Sequence, residues 1–106
     1  AFGVRIVKAC RFLQENKKEF VLSKQVLRSG TAIGAMIKES EFAESKADFV
    51  HKLSIALKEA NETKYWLLLL HESEYLDDSS YESVNEDCLN LIRLLVSIIK
   101  RMKCAA

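Results

Sequence analysis

The chain has 106 residues, 49% hydrophobic and 29% charged, with a formal net charge of +1. That suffices for one hydrophobic core but not for a core plus a separate substrate domain, so residues 1–106 are expected to form a single domain. With no proline and only three glycines, the expected fold class is all-α, because turn chemistry is too scarce for a strand-rich fold.

Phe2, Ile6, Cys10 and Leu13 recur at helical spacing and predict a first helix from about Phe2 to Asn16, with Asn16, Lys17 and Lys18 as its polar exit. After a short linker, Ser23 is placed to cap a second helix whose stripe is Val26, Gly30, Ile33 and Ile37. Ser45-Lys46-Ala47-Asp48 has the form of a capping box and opens the longest helix, ending near His71 or Ser73. Whether the second helix breaks before it or bends into it is open at this level. An acidic loop from Glu74 to Ser79 leads to a second capping box, Ser79-Ser80-Tyr81-Glu82. The fourth helix follows, with the stripe Val84, Cys88, Leu91, Ile92, Leu95, Ile98, Ile99 and Met102. Four amphipathic helices on short links predict an antiparallel up-down-up-down four-helix bundle.

Two features of this pattern bear on assembly. Gly30 and Gly34 lie one turn apart inside the second helix, where each costs about 1 kcal/mol relative to alanine. Close approach of a neighbouring helix is the expected compensation, and the phosphate-binding patterns GxxxxGK[ST] and GxGxxG are absent. The third helix is apolar on more than one side. Phe49, Leu53, Ala56, Ala60 and Leu67 lie within about 40° of one direction, whereas Ile55, Trp66 and Leu69 lie more than about 100° away. This second set is a candidate oligomer interface; burial of the helix all round is the alternative.

Charge is segregated. Residues 1–38 carry eight Lys/Arg and two Asp/Glu, residues 39–99 carry five and thirteen, and residues 100–106 add three cations. In an up-down bundle Arg5 and Lys8 would sit near Lys100, Arg101 and Lys103, forming a basic end, while Lys17 and Lys18 would face Glu74, Asp77 and Asp78. Arg11, Lys24 and Arg28 extend a candidate phosphate-binding surface along the first two helices. The cations of the last turn equally complement the helix dipole, and pairing across subunits is a third use.

Nothing in the residue pattern supports catalysis or a cofactor. His51 and His71 are isolated, Glu59 and Glu62 have Lys58 and Lys64 as ion partners, and no metal ligand set is legible. Cys10, Cys88 and Cys104 lack CxxC spacing and are expected to be reduced thiols. The longest apolar run, about six residues, falls far short of the ~20 that span a bilayer. The opening Ala1-Phe2-Gly3-Val4-Arg5 lacks the form of a signal peptide, so a cytoplasmic location is expected, and the missing initiator Met suggests N-terminal trimming.

The segment from Gln25 to Ala35, QVLRSGTAIGA, with ESKADF at 44–49 and LSIALKEANETKYWL at 53–67, resembles the four-helix-bundle family of 23S rRNA intervening-sequence proteins. The resemblance spans nearly the whole chain. Met36 stands where that family's pattern, close to SIGANI, usually has an asparagine. The resemblance implies a small bacterial protein without known enzymatic activity that assembles as a ring-like homopentamer. Relatives include the accessory variability protein of diversity-generating retroelements, a basic pentamer that engages a reverse transcriptase and nucleic acid. The expected function is therefore a non-enzymatic oligomeric binding or scaffold protein in a ribonucleoprotein context. Its partners would be further copies of itself, with RNA, DNA or a nucleic-acid-processing protein beyond them. The alternative is direct nucleic-acid binding through the segregated basic surface.

Overall fold

The computed structural model describes residues 1–104 and contains four helices: α1 (Phe2–Asn16), α2 (Leu22–Ser40), α3 (Lys46–Glu72) and α4 (Asp78–Cys104). Each packs against its sequence neighbour, and α1 touches α4 only lightly. The result is the expected antiparallel four-helix bundle, about 49 × 21 × 19 Å. The break between α2 and α3, open from sequence, falls at residues 41–45.

The helices differ in length, and this shapes the surface. α3 and α4 have 27 residues each while α1 has 15, so at about 1.5 Å per residue α1 reaches along only half of its neighbours. Two clusters fill the interior. Ile6, Cys10 and Leu13 of α1 meet Val26, Leu67, Leu70, Leu76, Val84 and Cys88 at the α3–α4 loop end. Ile33, Leu53, Ala56, Ala60, Leu95 and Ile99 form the other cluster from α2, α3 and α4, with Phe2 of α1 packed against it.

Helix starts follow from carboxylates more than from the serines expected to cap them. Ser45 does cap α3, accepting the Asp48 N–H at 3.0 Å. Ser23 does not cap α2: it is buried inside the helix, and its hydroxyl donates to the Glu19 carbonyl. The Glu19 carboxylate does the capping instead, accepting the N–H groups of Val21, Leu22 and Ser23 at 3.2, 3.0 and 2.7 Å. At α4 the cap moves from Ser79 to Asp77, which accepts the Ser80 N–H at 2.7 Å. The end of α3 is a Schellman turn made without glycine. Glu74 takes φ 68°, while its own N–H reaches the His71 carbonyl and that of Tyr75 reaches Leu70.

The two glycines of α2 have different environments. A Cβ on Gly30 would lie 2.8 Å from Cγ2 of Ile6, a fully buried and β-branched neighbour with little rotamer freedom. This is the close helix approach expected from sequence. Gly34 is exposed, with nothing within 4 Å of the corresponding position. The packing role assigned to it is therefore corrected: no neighbouring helix approaches it.

Opposite outcomes are expected at these positions. Gly30→Ala forces α1 outward and should lower stability by about 1–2 kcal/mol, the overpacking penalty exceeding the gain in helix propensity. Gly34→Ala meets no obstacle and should raise stability by up to about 1 kcal/mol. Urea denaturation of the two variants reads both signs.

A pH test addresses the cap. Burial of Glu19 raises its pKa, but the N–H groups of Leu22, Ser23 and Val21, with the Ser23 side chain, outweigh this and hold the folded value below 4.5. Its contribution is complete above the ordinary carboxylate range and is lost as pH falls through the lowered value. Glu19→Gln should cost roughly 1 kcal/mol at neutral pH, and denaturant midpoints measured from about pH 7 to about pH 3 should show the gap to the parent chain narrowing.

Candidate interaction surfaces

The α2–α3 seam consumes part of the cationic set. Arg28 lies against Glu59 at 3.4 Å and is hydrogen-bonded to Glu62. Inside this seam the Thr63 hydroxyl is 2.8 Å from both the Ser29 hydroxyl and the Glu59 carbonyl, and Ser29 donates to the Gln25 carbonyl. Both side chains are fully buried.

Arg5 is also paired. Its guanidinium meets the Asp87 carboxylate and the Ser83 hydroxyl on α4. This overturns the expected basic end, because Asp87 is about 20 Å along α4 from Lys100 at ~1.5 Å per residue. The short α1 explains the error: its first turn meets the middle of α4. Lys8 instead lines a cavity of about 620 Å³ with Phe12, Lys17, His71, Glu74, Asp77 and Asp78. Lys17 therefore lies beside the acidic loop as expected, and its charge adds to the Ser80 hydrogen bonds that lower the pKa of Asp77. Arg11 borders a shallow cleft between α1 and α2, and Lys24 is exposed. Lys100, Arg101 and Lys103 are exposed at the far end of α4. The eight candidate phosphate contacts thus do not form one surface.

The α1–α4 seam is loosely closed. Besides the cavity at its loop end, two smaller ones follow it, one beside Arg5, Ser79, Ser83 and Val84 and one between Phe2, Arg5, Asn90 and Leu94.

The second apolar set of α3 is only partly outside the bundle. Ile55, Trp66 and Leu69 are half-buried, and Trp66 packs on the margin of the loop-end cluster. Its buried indole N–H meets no acceptor among the described residues. Sequence reasoning missed the more exposed apolar residues of this helix, Tyr65 at 53% and Leu68 at 38%. They fall on the other flank, where the apolar run at 65–70 hides periodicity. Val4, Val7 and Leu94 are exposed too.

His71 lies 2.7 Å from Asp78 and stacks on Tyr81 at 4.2 Å, which ties α3 to α4. Among the described residues no cluster of His, Cys, Asp and Glu is placed to hold a metal ion. Cys10 and Cys88 donate to the Ser23 and Ala60 carbonyls at 3.3 and 3.4 Å. Burial, chiefly, pushes each thiol up to about 11, which suits packing rather than nucleophilic chemistry. Among the described residues no helix is long and apolar enough to cross a membrane.

Comparison with known proteins agrees with this architecture. A solved structure from Bacteroides thetaiotaomicron, described as a protein of unknown function from the S23 ribosomal protein family, is 60% identical. The match covers 93% of this chain and 92% of that one, with a TM-score of 0.92. No curated protein matches. The family model for the 23S rRNA-intervening sequence protein matches residues 1–97. The chain belongs to the 23S rRNA-intervening sequence protein family.

Proposed function

We propose that this chain is a non-enzymatic, self-assembling four-helix module that acts as a binding or scaffold protein in the cytoplasm, in a ribonucleoprotein context. The observation that carries the reading is the distribution of exposed apolar side chains. Val4, Val7, Tyr65, Leu68 and Leu94 are exposed on the flanks of α1, α3 and α4. A ring of identical subunits, the pentamer that the family resemblance suggests, would cover such flanks repeatedly.

Direct phosphate binding is the weaker reading, because Arg5 and Arg28 are already neutralised within the chain. Light scattering across micromolar concentrations tests the assembly. The expected mass is a fixed multiple of 12.1 kDa, and a single-chain mass would overturn the proposal. Retention on immobilised RNA that falls steeply with added salt would instead favour phosphate contacts.

A further inference from the structure

We propose that the cavity between α1 and the α3–α4 loop binds a small zwitterion with an apolar body, an aromatic α-amino acid being the class that fits. Its volume, about 620 Å³, lies within the roughly 300–1,000 Å³ of small-molecule sites. One wall is Lys8, Ala9 and Phe12 of α1; the other is Tyr75 and Leu76 with the carboxylates of Glu74 and Asp77. None of the exposed apolar side chains assigned to self-assembly lines it.

The apolar part of the cavity centres on one ring. Phe12 is 45% exposed, although its chain neighbour Leu13 is fully buried. Lys8 and Phe12 are one turn apart, so an ammonium group and an uncovered aromatic ring share one face of α1. Tyr75, half-buried, and Leu76, buried, close the opposite side. A ring or branched chain entering here removes apolar surface from water on both walls.

The charges around this floor have both signs, one on each wall. Among the described residues the Lys8 ammonium and the Glu74 carboxylate have no ion-pair or hydrogen-bond partner. Asp77 is held ionised by its Ser80 hydrogen bonds and, to a lesser degree, by Lys17, while Asp78 is engaged by His71. A phosphate or other lone anion that reached Lys8 would face carboxylates, and a lone cation at Glu74 would face lysines. A molecule that carries a carboxylate and an ammonium meets an opposite charge at each end, with its side chain lying on Phe12 and Tyr75. Exposed charges contribute little each, so the dissociation constant is expected on the order of 1 mM.

Saturation-transfer NMR on the full chain tests this, with L-phenylalanine as the probe, in whatever assembly state the protein adopts. Phenylpropionate and phenethylamine keep the ring and one charge each, and both should bind about three- to fivefold more weakly. Lys8→Gln and Glu74→Gln should each weaken phenylalanine by a similar factor, and Phe12→Ser should abolish saturable transfer. All three positions are exposed, and circular dichroism checks that the variants fold. No saturable transfer from phenylalanine up to about 20 mM would overturn the proposal. So would equal binding of either single-charge compound, which makes the site one for an anion or a cation. Binding that survives Phe12→Ser would place the contact elsewhere, and indifference to both charge variants would reduce it to apolar contact; either result also rejects the zwitterion site.

Discussion

The pairing of α2 with α3 is the constraint on which the other elements depend. These helices share the most extensive interface, and α1 and α4 lean on its two sides. Within it sits a buried hydroxyl pair, Ser29 and Thr63. Each hydroxyl also has a carbonyl of its own helix within reach, Gln25 for Ser29 and Glu59 for Thr63. A buried polar atom left without a partner costs about 1–3 kcal/mol, so sliding one helix along the other is opposed by more than lost apolar contact. Arg28 with Glu59 and Glu62 marks the same register at the surface, and Lys52 with Glu39 at 3.5 Å repeats it near the α2–α3 turn. Exposed pairs of this kind contribute little individually; they select one register among neighbours of similar burial.

With α2 and α3 fixed, the placement of α1 follows from a single close approach. Ile6 lies over Gly30, and the Glu19 carboxylate turns the chain into α2, making α1–α2 a tightly defined hairpin. On its other side α1 meets α4 through Arg5 and a row of cavities. The molecule thus has a closed half, where all four helices contribute, and a half built from α2, α3 and α4. Gly34 stands at that transition: its Cα would permit the same approach as Gly30, yet no neighbour is there.

Much of the fold was legible because the periodicities of α1, α2 and α4 each select one stripe, and Ile6, Val26, Cys88 and Leu95 are buried as those stripes require. The helix entries were less legible. A serine at a helix entry acts as a cap only if the chain arrives with the hydroxyl facing the helix end; at Ser23 the incoming turn presents Glu19. The stop at Glu74 carried no glycine to announce it. The surface was least legible, since charge position depends on helix offset. Arg5 looked like part of a basic end only while α1 and α4 were given equal reach, and Asp87 decides otherwise. On α3, where apolar residues crowd several flanks, sequence could separate Trp66 from the main stripe but could not show that it packs half-buried on the loop-end cluster.

These offsets also narrow what kind of binding the protein can perform. A nucleic-acid surface needs cations that remain free and lie in a row the spacing of phosphates can follow. Here Arg5 and Arg28 are spent inside the chain, Lys8 and Lys17 look onto carboxylates, and Lys100, Arg101 and Lys103 stand at the opposite end. No single chain presents such a row from the candidate residues. Repetition around an assembly changes the arithmetic, because one exposed cluster per subunit becomes a band of clusters. Under the proposed self-association, the residues that join the copies would matter before those that meet a ligand.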